Sequence, residues 1–219
     1  MENVSCLQVS SDVLSEFLEV AVHCILYNRG LYPAGVFVKR KKYNVPVQMC
    51  LHPEVKEYVI HVVDGVRWLL EQGEVETVAI VVLRADNSPL ERFVFEITDT
   101  HNTRSKTDEY LFQLEQSLRA FLLKLNICDS VLQPLPEDCT WTVHIHTRES
   151  AAQKLDEKQV IKVPGRFEEI LHSRPNFPWV EADEKQQKME DSKLVPLKSM
   201  KSDFFKMQLF VEESAKKTS

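Results

Sequence analysis

The sequence predicts an α+β fold in which helices pack on an antiparallel sheet. Three observations point there. Apolar residues recur at helical spacing over residues 55–70 and again over 111–125. Between these stripes, residues 75–83 form a nearly continuous β-branched run followed by a turn and a returning strand. After them, residues 139–147 alternate with a period of two.

The first element is a helix predicted over Ser11–Asn28. Ser11 or Asp12 suits its N-cap, and Gly30 suits the left-handed residue past its end. Val13, Phe17, Val20, Ala21, Cys24 and Ile25 share one face, while Val22 and Leu26 add apolar surface elsewhere. Its second half is therefore expected to be buried nearly all round. A loop carrying Lys39, Arg40, Lys41 and Lys42 is expected next. A second helix is predicted over Pro53–Gln72, because proline suits the first helical turn and Gly73 stops the pattern. Val55, Val59, Val62, Val63, Val66, Leu69 and Leu70 form its stripe.

Val75–Leu83 reads as a strand covered on both faces. Asp86-Asn87-Ser88-Pro89 is turn chemistry. Leu90–Ile97 then returns with Phe93, Phe95 and Ile97 on one face, completing a hairpin. A third helix is predicted over Asp108–Asn126, with a stripe of Leu111, Leu114, Leu118, Phe121, Leu122 and Leu125. Pro134 and Pro136 mark a loop, and Cys139–Thr147 is a further strand that turns Trp141, Val143 and Ile145 one way. From Arg148 the texture changes. The chain is charged and interrupted by Pro164, Gly165, Pro175 and Pro178, yet it carries anchors at Phe177-Pro178-Trp179, Leu194–Leu197 and Phe204–Val211. It reads either as a loose tail or, better, as a segment that wraps the domain without a core of its own.

Composition excludes several classes. With 43% apolar and 27% charged residues, a 219-residue chain can bury a core without metal or disulfide. A net charge of −6 argues against direct nucleic-acid binding, which draws its affinity from phosphate neutralisation. Five cysteines, none at CxxC spacing, suit a reduced compartment, with Cys24 read as core. Met1–Ser10 lacks a basic region followed by an apolar run, so no signal peptide is expected, and no apolar run approaches the roughly 20 residues that span a bilayer.

Catalytic signatures are missing. Gly30 and Gly35 have phosphate-loop spacing, but Val36-Phe37 follow instead of lysine and Ser/Thr. GxSxG and HExxH do not occur. His144 and His146 share a strand face and either begin a metal site or form the wet face opposite Trp141. The carboxylate pairs Glu168-Glu169 and Glu212-Glu213 read as solvated surface. Lys39–Lys42 reads as an import signal, a phosphate contact or a solvated loop.

Seven blocks carry a resemblance. They are Ser15–Tyr27 SEFLEVAVHCILY, Leu31–Met49 LYPAGVFVKRKKYNVPVQM, Glu91–Thr98 ERFVFEIT, Gln116–Leu123 QSLRAFLL, Val143–Glu149 VHIHTRE, Phe177-Pro178-Trp179 and Phe204–Glu213 FFKMQLFVEE. In this order they resemble the HORMA-domain family from about Val9 to Glu213, and within it the B-type mitotic-arrest-deficient-like adaptors that serve as accessory subunits of DNA polymerase zeta. The resemblance implies a HORMA fold with a core over 9–147, a mobile "safety belt" over 148–213 and a flexible tail over 214–219. The belt wraps a partner peptide that adds to the sheet as a strand.

It also implies a non-catalytic adaptor in translesion synthesis, double-strand-break repair choice and restraint of the anaphase-promoting complex. The implied setting is the nucleus, with cytoplasm and spindle. No catalytic, cofactor or metal residue is assigned. The implied partners are the catalytic subunit of DNA polymerase zeta, the C-terminal domain of the scaffolding translesion polymerase, a shieldin subunit, an AAA+ remodelling ATPase and activators of the anaphase-promoting complex. A homodimer or HORMA heterodimer is implied as well, with neither direct nucleic-acid nor membrane binding.

On this chain the peptide grip falls on Tyr58 and Trp179. A second-partner surface falls on Leu194, Gln208 and Phe210, and a dimer or docking surface on Arg119 with Lys39. Two departures stand out: residues 163–176 are inserted between Gln159–Lys162 QVIK and Phe177, and Phe210 replaces the tyrosine of close relatives. The rival expectation is a spindle-assembly or meiotic-axis HORMA protein with no translesion role.

Overall fold

The structure, a computed structural model, describes residues 6–99, 108–148, 179, 182, 184–187, 189, 191–202 and 205–217, the side chains of 6–9, 99, 108–111 and 184 excepted. Eleven elements are used below: α1 (Cys6–Asn28), β1 (Phe37–Lys42), β2 (Val45–Cys50), α2 (Pro53–Glu71), β3 (Val75–Leu83), β4 (Pro89–Asp99), α3 (Asp108–Leu125), β5 (Thr140–Thr147), α4 (Glu184–Gln187), β6 (Ser192–Lys201) and β7 (Phe205–Ser214). A five-stranded antiparallel sheet runs β5-β3-β4-β7-β6, and β1-β2 form a separate pair. The α+β class and helices on an antiparallel sheet are as the sequence predicts.

The helical layer follows the apolar stripes. Every predicted stripe residue of α2 is buried, and Gly73 takes the left-handed φ of +67° that ends it. α1 is buried on all sides from Val20 to Leu26, where α2, α3 and β2 pack against it. Phe17 of α1 ties the layers together, meeting Phe95 of β4, Phe121 of α3 and Tyr43 edge-on at centroid distances of 6.1, 5.9 and 6.3 Å. Such pairs contribute about 0.5–1.5 kcal/mol each beyond area burial.

Several expectations change. α1 begins at Cys6, so Ser11 and Asp12 lie inside it; Ser11 is buried and Asp12 pairs with Arg67 of α2, tertiary contacts that outweigh cap propensity. The basic run is β1, closed onto β2 by Tyr43 and Asn44, both left-handed at φ 48° and 58°. A two-residue turn of that kind usually announces itself through glycine, and here it does not.

The segment after Arg148 is more than a wrap. β7 sits inside the sheet between β4 and β6, and Phe205, Met207, Leu209 and Val211 are fully buried in the main core. Nor is every charged residue there solvated: Glu213 is buried, and so is Lys217 in the stretch expected to be a flexible tail. Finally, His144 is 8% exposed and not wet, because Gln186 of α4 covers it and shares a hydrogen bond with it.

Candidate functional site

β5 pairs with β3 on one side; among the described residues no strand pairs with its other side. Its alternation puts Trp141, Val143 and Ile145 opposite Val82, Ile80 and Val78 on the helix-facing side. α2 crosses beside this edge. Its stripe faces inward and leaves Tyr58 on the flank, 37% exposed. The Tyr58 ring stands edge-on to Trp141 at 5.2 Å, and its phenol shares a hydrogen bond with the Thr142 side chain. Trp141 and Thr142 leave opposite faces of the strand, so contact with both places Tyr58 along the strand's edge. Burial pushes its phenol above the ordinary value. Trp141 Nε1 donates to Tyr32 Oη at 3.0 Å, which locks the indole. Trp179 is half-buried and packs on the core cluster to which Trp141, Val143 and Ile145 also belong.

An unpaired strand edge offers alternating N–H and C=O groups to an added strand. The other edge of the sheet is β6, and it is blunted. It carries Lys193, Lys198 and Lys201, a proline at Pro196 and a bulge between Pro196 and Lys198. β5 has none of these guards and is bordered by aromatic rings. Proline rings stack on such faces, and Trp and Tyr dominate interface hot spots.

Acid–base or nucleophilic chemistry finds little support among the described residues. Burial pushes the Cys24 and Cys128 thiols up to about 12, which keeps them protonated. No group of three or more His, Cys, Asp or Glu is placed to hold a metal ion among the described residues.

The second predicted surface is assembled by register. Pro196 stands opposite Phe210, Leu194 opposite Glu212, and Gln208 between Ser199 and Glu96. Leu194, Pro196, Gln208 and Phe210, together with Glu96 and Lys124, line a shallow depression at the β6 side of the sheet. Phe210 is half-buried on the apolar patch of Ala79, Val81, Leu83 and Val94. Leu194 is 57% exposed, so it pins nothing down. The third surface centres on Arg119, half-buried on α3, while Lys39 is exposed on β1. β2 packs on α3, and Asn126 donates to the Pro46 carbonyl at 3.2 Å, which sets the basic hairpin beside the end of α3.

A family model described as the HORMA domain matches residues 10–190. The chain belongs to the HORMA domain family. Over 212 residues it is 50% identical to "Mitotic spindle assembly checkpoint protein MAD2B" of Homo sapiens, covering 97% of this chain and 94% of the relative. It is 34% identical over 199 residues to "DNA polymerase zeta processivity subunit" of Arabidopsis thaliana, covering 91% and 83%. Among solved structures, a chain of "Crystal Structure of Mitotic Checkpoint Complex" aligns with a TM-score of 0.75 at 23% identity over 97% of this chain and 98% of that one. "Structure of C. elegans HTP-2 bound to HIM-3 closure motif, P21 form" aligns at 0.70 with 12% identity over 97% and 93%. At those identities the likeness is one of fold.

In this HORMA chain the structure brings Tyr58 to the open edge and places Trp179 against the core cluster to which that edge's inner side chains belong. It brings Leu194, Gln208 and Phe210 into one depression. Sequence reasoning missed Tyr32, Trp141 and Thr142 as companions of Tyr58, because strand alternation assigned Trp141 to the core and says nothing about which helix flanks the edge. It also missed Phe112 and Leu123, exposed at 61% and 46%. Their signal was present: Phe112, Gln116, Arg119 and Leu123 follow helical spacing on the side opposite the buried stripe. The insertion at 163–176, Phe177-Pro178 and Phe204 lie outside the described residues.

Proposed function

We propose that this chain is a non-catalytic HORMA adaptor that holds an extended, proline-containing segment of the catalytic subunit of DNA polymerase zeta along the open edge of β5. The observation that carries this reading is that edge, bordered by Tyr58 and Trp141, with Trp179 as the grip from the belt side. The name of the Arabidopsis relative, a polymerase zeta processivity subunit, supports the choice of partner, and the closure-motif complex among the fold neighbours supports the mode. The adaptor role extends to translesion synthesis in the nucleus. Leu194, Gln208 and Phe210 receive the C-terminal domain of the scaffolding translesion polymerase, and Arg119, flanked by Phe112 and Leu123 with Lys39 nearby, receives a second HORMA protomer. A shieldin segment would use the same edge, and an AAA+ ATPase would reopen the belt. Activators of the anaphase-promoting complex are further partners.

The test is calorimetry with a synthetic peptide from the proline-bearing polymerase segment. Trp179→Ala should weaken binding at least about tenfold while the chain stays folded, since a lost aromatic hot spot costs roughly 2 kcal/mol. Unchanged affinity in the folded variant would sink the reading. A second reading, a checkpoint protein acting on spindle-assembly or meiotic-axis partners, is favoured by the name "Mitotic spindle assembly checkpoint protein MAD2B" borne by the Homo sapiens relative. Competitive pull-down with polymerase and checkpoint peptides separates the two.

A further inference from the structure

The end of the described chain buries charge. Lys217 is 2% exposed. Its Nζ meets the Glu91 carboxylate, the Glu213 carboxylate at 2.7 Å and the Gln133 carbonyl at 3.1 Å. Glu213 Oε1 also accepts the Gln133 N–H at 2.7 Å. Arg29, at the end of α1, forks onto Glu91 with Nε–Oε2 at 2.9 Å and Nη2–Oε1 at 2.7 Å. All four side chains are buried. Two cations therefore meet two carboxylates, with Asp129 reaching Arg29 from the exposed rim.

This cluster divides along the seam between β4 and the C-terminal hairpin. Arg29 and Glu91 belong to the first part of the chain and satisfy each other in a bidentate pair. Glu213 and Lys217, four residues apart, satisfy each other on the hairpin's side. Each half is neutral and internally paired, so undocking the hairpin strands no buried charge. A shifted register is different, because it would slide Lys217 away from Glu91 and bury a mismatched ion. Buried pairs add little net stability over apolar packing, but breaking one by removing a partner costs heavily. What such a cluster supplies is position, and Arg84 adds to it by donating to the Lys216 carbonyl at 3.0 Å.

We infer that Glu213 and Lys217 are positioning residues that seat the β6–β7 hairpin on β4 in one register, making the C-terminal turn the latch of the belt. This deepens the peptide-holding reading and rests on it only for its consequence: a seated hairpin keeps a bound peptide from leaving.

Hydrogen exchange on the full chain tests the latch without any peptide. Lys217→Met leaves the buried Glu213 carboxylate without its cation. It should raise exchange of β6 and β7 amides by about tenfold or more while α2 and β3 stay protected. The double variant Glu213→Gln with Lys217→Met removes both positioning residues but strands no buried charge, since it leaves the balanced Arg29–Glu91 pair. It should fold and still exchange its β6 and β7 amides faster than the parent chain while α2 and β3 stay protected, and it carries the test alone should the single variant fail to fold. An unchanged β7 in the single variant, a uniform rise across β3, α2 and β7, or parental β7 protection in the double variant overturns the inference. A labelled peptide from the polymerase segment gives the second readout, faster dissociation from Lys217→Met. Raised β7 exchange with unchanged dissociation keeps the latch and counts against the peptide-holding reading instead.

Discussion

Strands β3 and β4 are joined by a tight turn in which Asp86 accepts the Ser88 N–H at 3.0 Å, and β3 is buried on both faces from Val78 to Leu83. Strands β6 and β7 are closed where Ser202 N–H meets the Phe205 carbonyl at 2.9 Å, but only β7 is buried; β6 is half-exposed or exposed throughout. The first hairpin takes its register from a local turn and continuous apolar burial. Both pairings carry a register irregularity, at Val82/Leu83 in the first and Pro196/Lys198 in the second. The second hairpin has only one buried apolar face, so its register depends on contacts far away in the chain. Residues close in sequence thus hold the first in place, and a distant seam holds the second.

Core truncation should make the largest difference between the two. Phe93→Ala in β4 should cost about 3–5 kcal/mol, and Leu209→Ala in β7 about 2–5 kcal/mol, in urea unfolding. Exchange should distinguish them: Leu209→Ala loosens β6–β7 ahead of β3–β4, whereas Phe93→Ala loosens both. Identical exchange patterns would erase the distinction drawn between the hairpins.

A smaller effect, outside both hairpins, comes from acid. His23 lies buried between α1 and β2, where its Nδ1 accepts the Cys50 N–H at 3.4 Å. Burial first, then nearby Lys56, pushes its imidazole down to about 4 from the ordinary 6.5. The native state therefore resists a proton that the unfolded chain accepts. The stability this group supplies is complete above about pH 6.5 and lost as pH falls toward 4, roughly 3 kcal/mol in all. His23→Gln should flatten the pH dependence of the urea midpoint across that window. An equally steep slope in the variant would mean that His23 is not the source of the acid sensitivity.

The smallest stability effect is expected at Leu194. Because its side chain is mostly in water, Leu194→Ala should change stability by no more than about 0.5 kcal/mol. Its effect should fall on capture of the scaffold domain, with the polymerase peptide still held. Loss of both together would mean that the exposed edge of β6 also supports the belt.

The sequence by itself determined what local physics determines. The 3.6-residue stripe fixed α2 almost to the residue, the β-branched run and its turn fixed β3–β4, and the alternation at Trp141, Val143 and Ile145 fixed the inner face of β5. Through the seven blocks it also determined the family, and with it which positions to inspect. Tertiary structure decided what depends on residues far apart. It turned Lys39–Lys42 into a strand, because β2 supplies its partner and left-handed Tyr43 and Asn44 close the turn. It moved the start of α1 past two good caps, because Asp12 finds Arg67. It drew the charged C-terminal residues inward, because Glu213 and Lys217 complete a neutral set with Arg29 and Glu91. A carboxylate or ammonium reads as solvated in sequence, and only a partner brought from elsewhere in the chain lets it be buried.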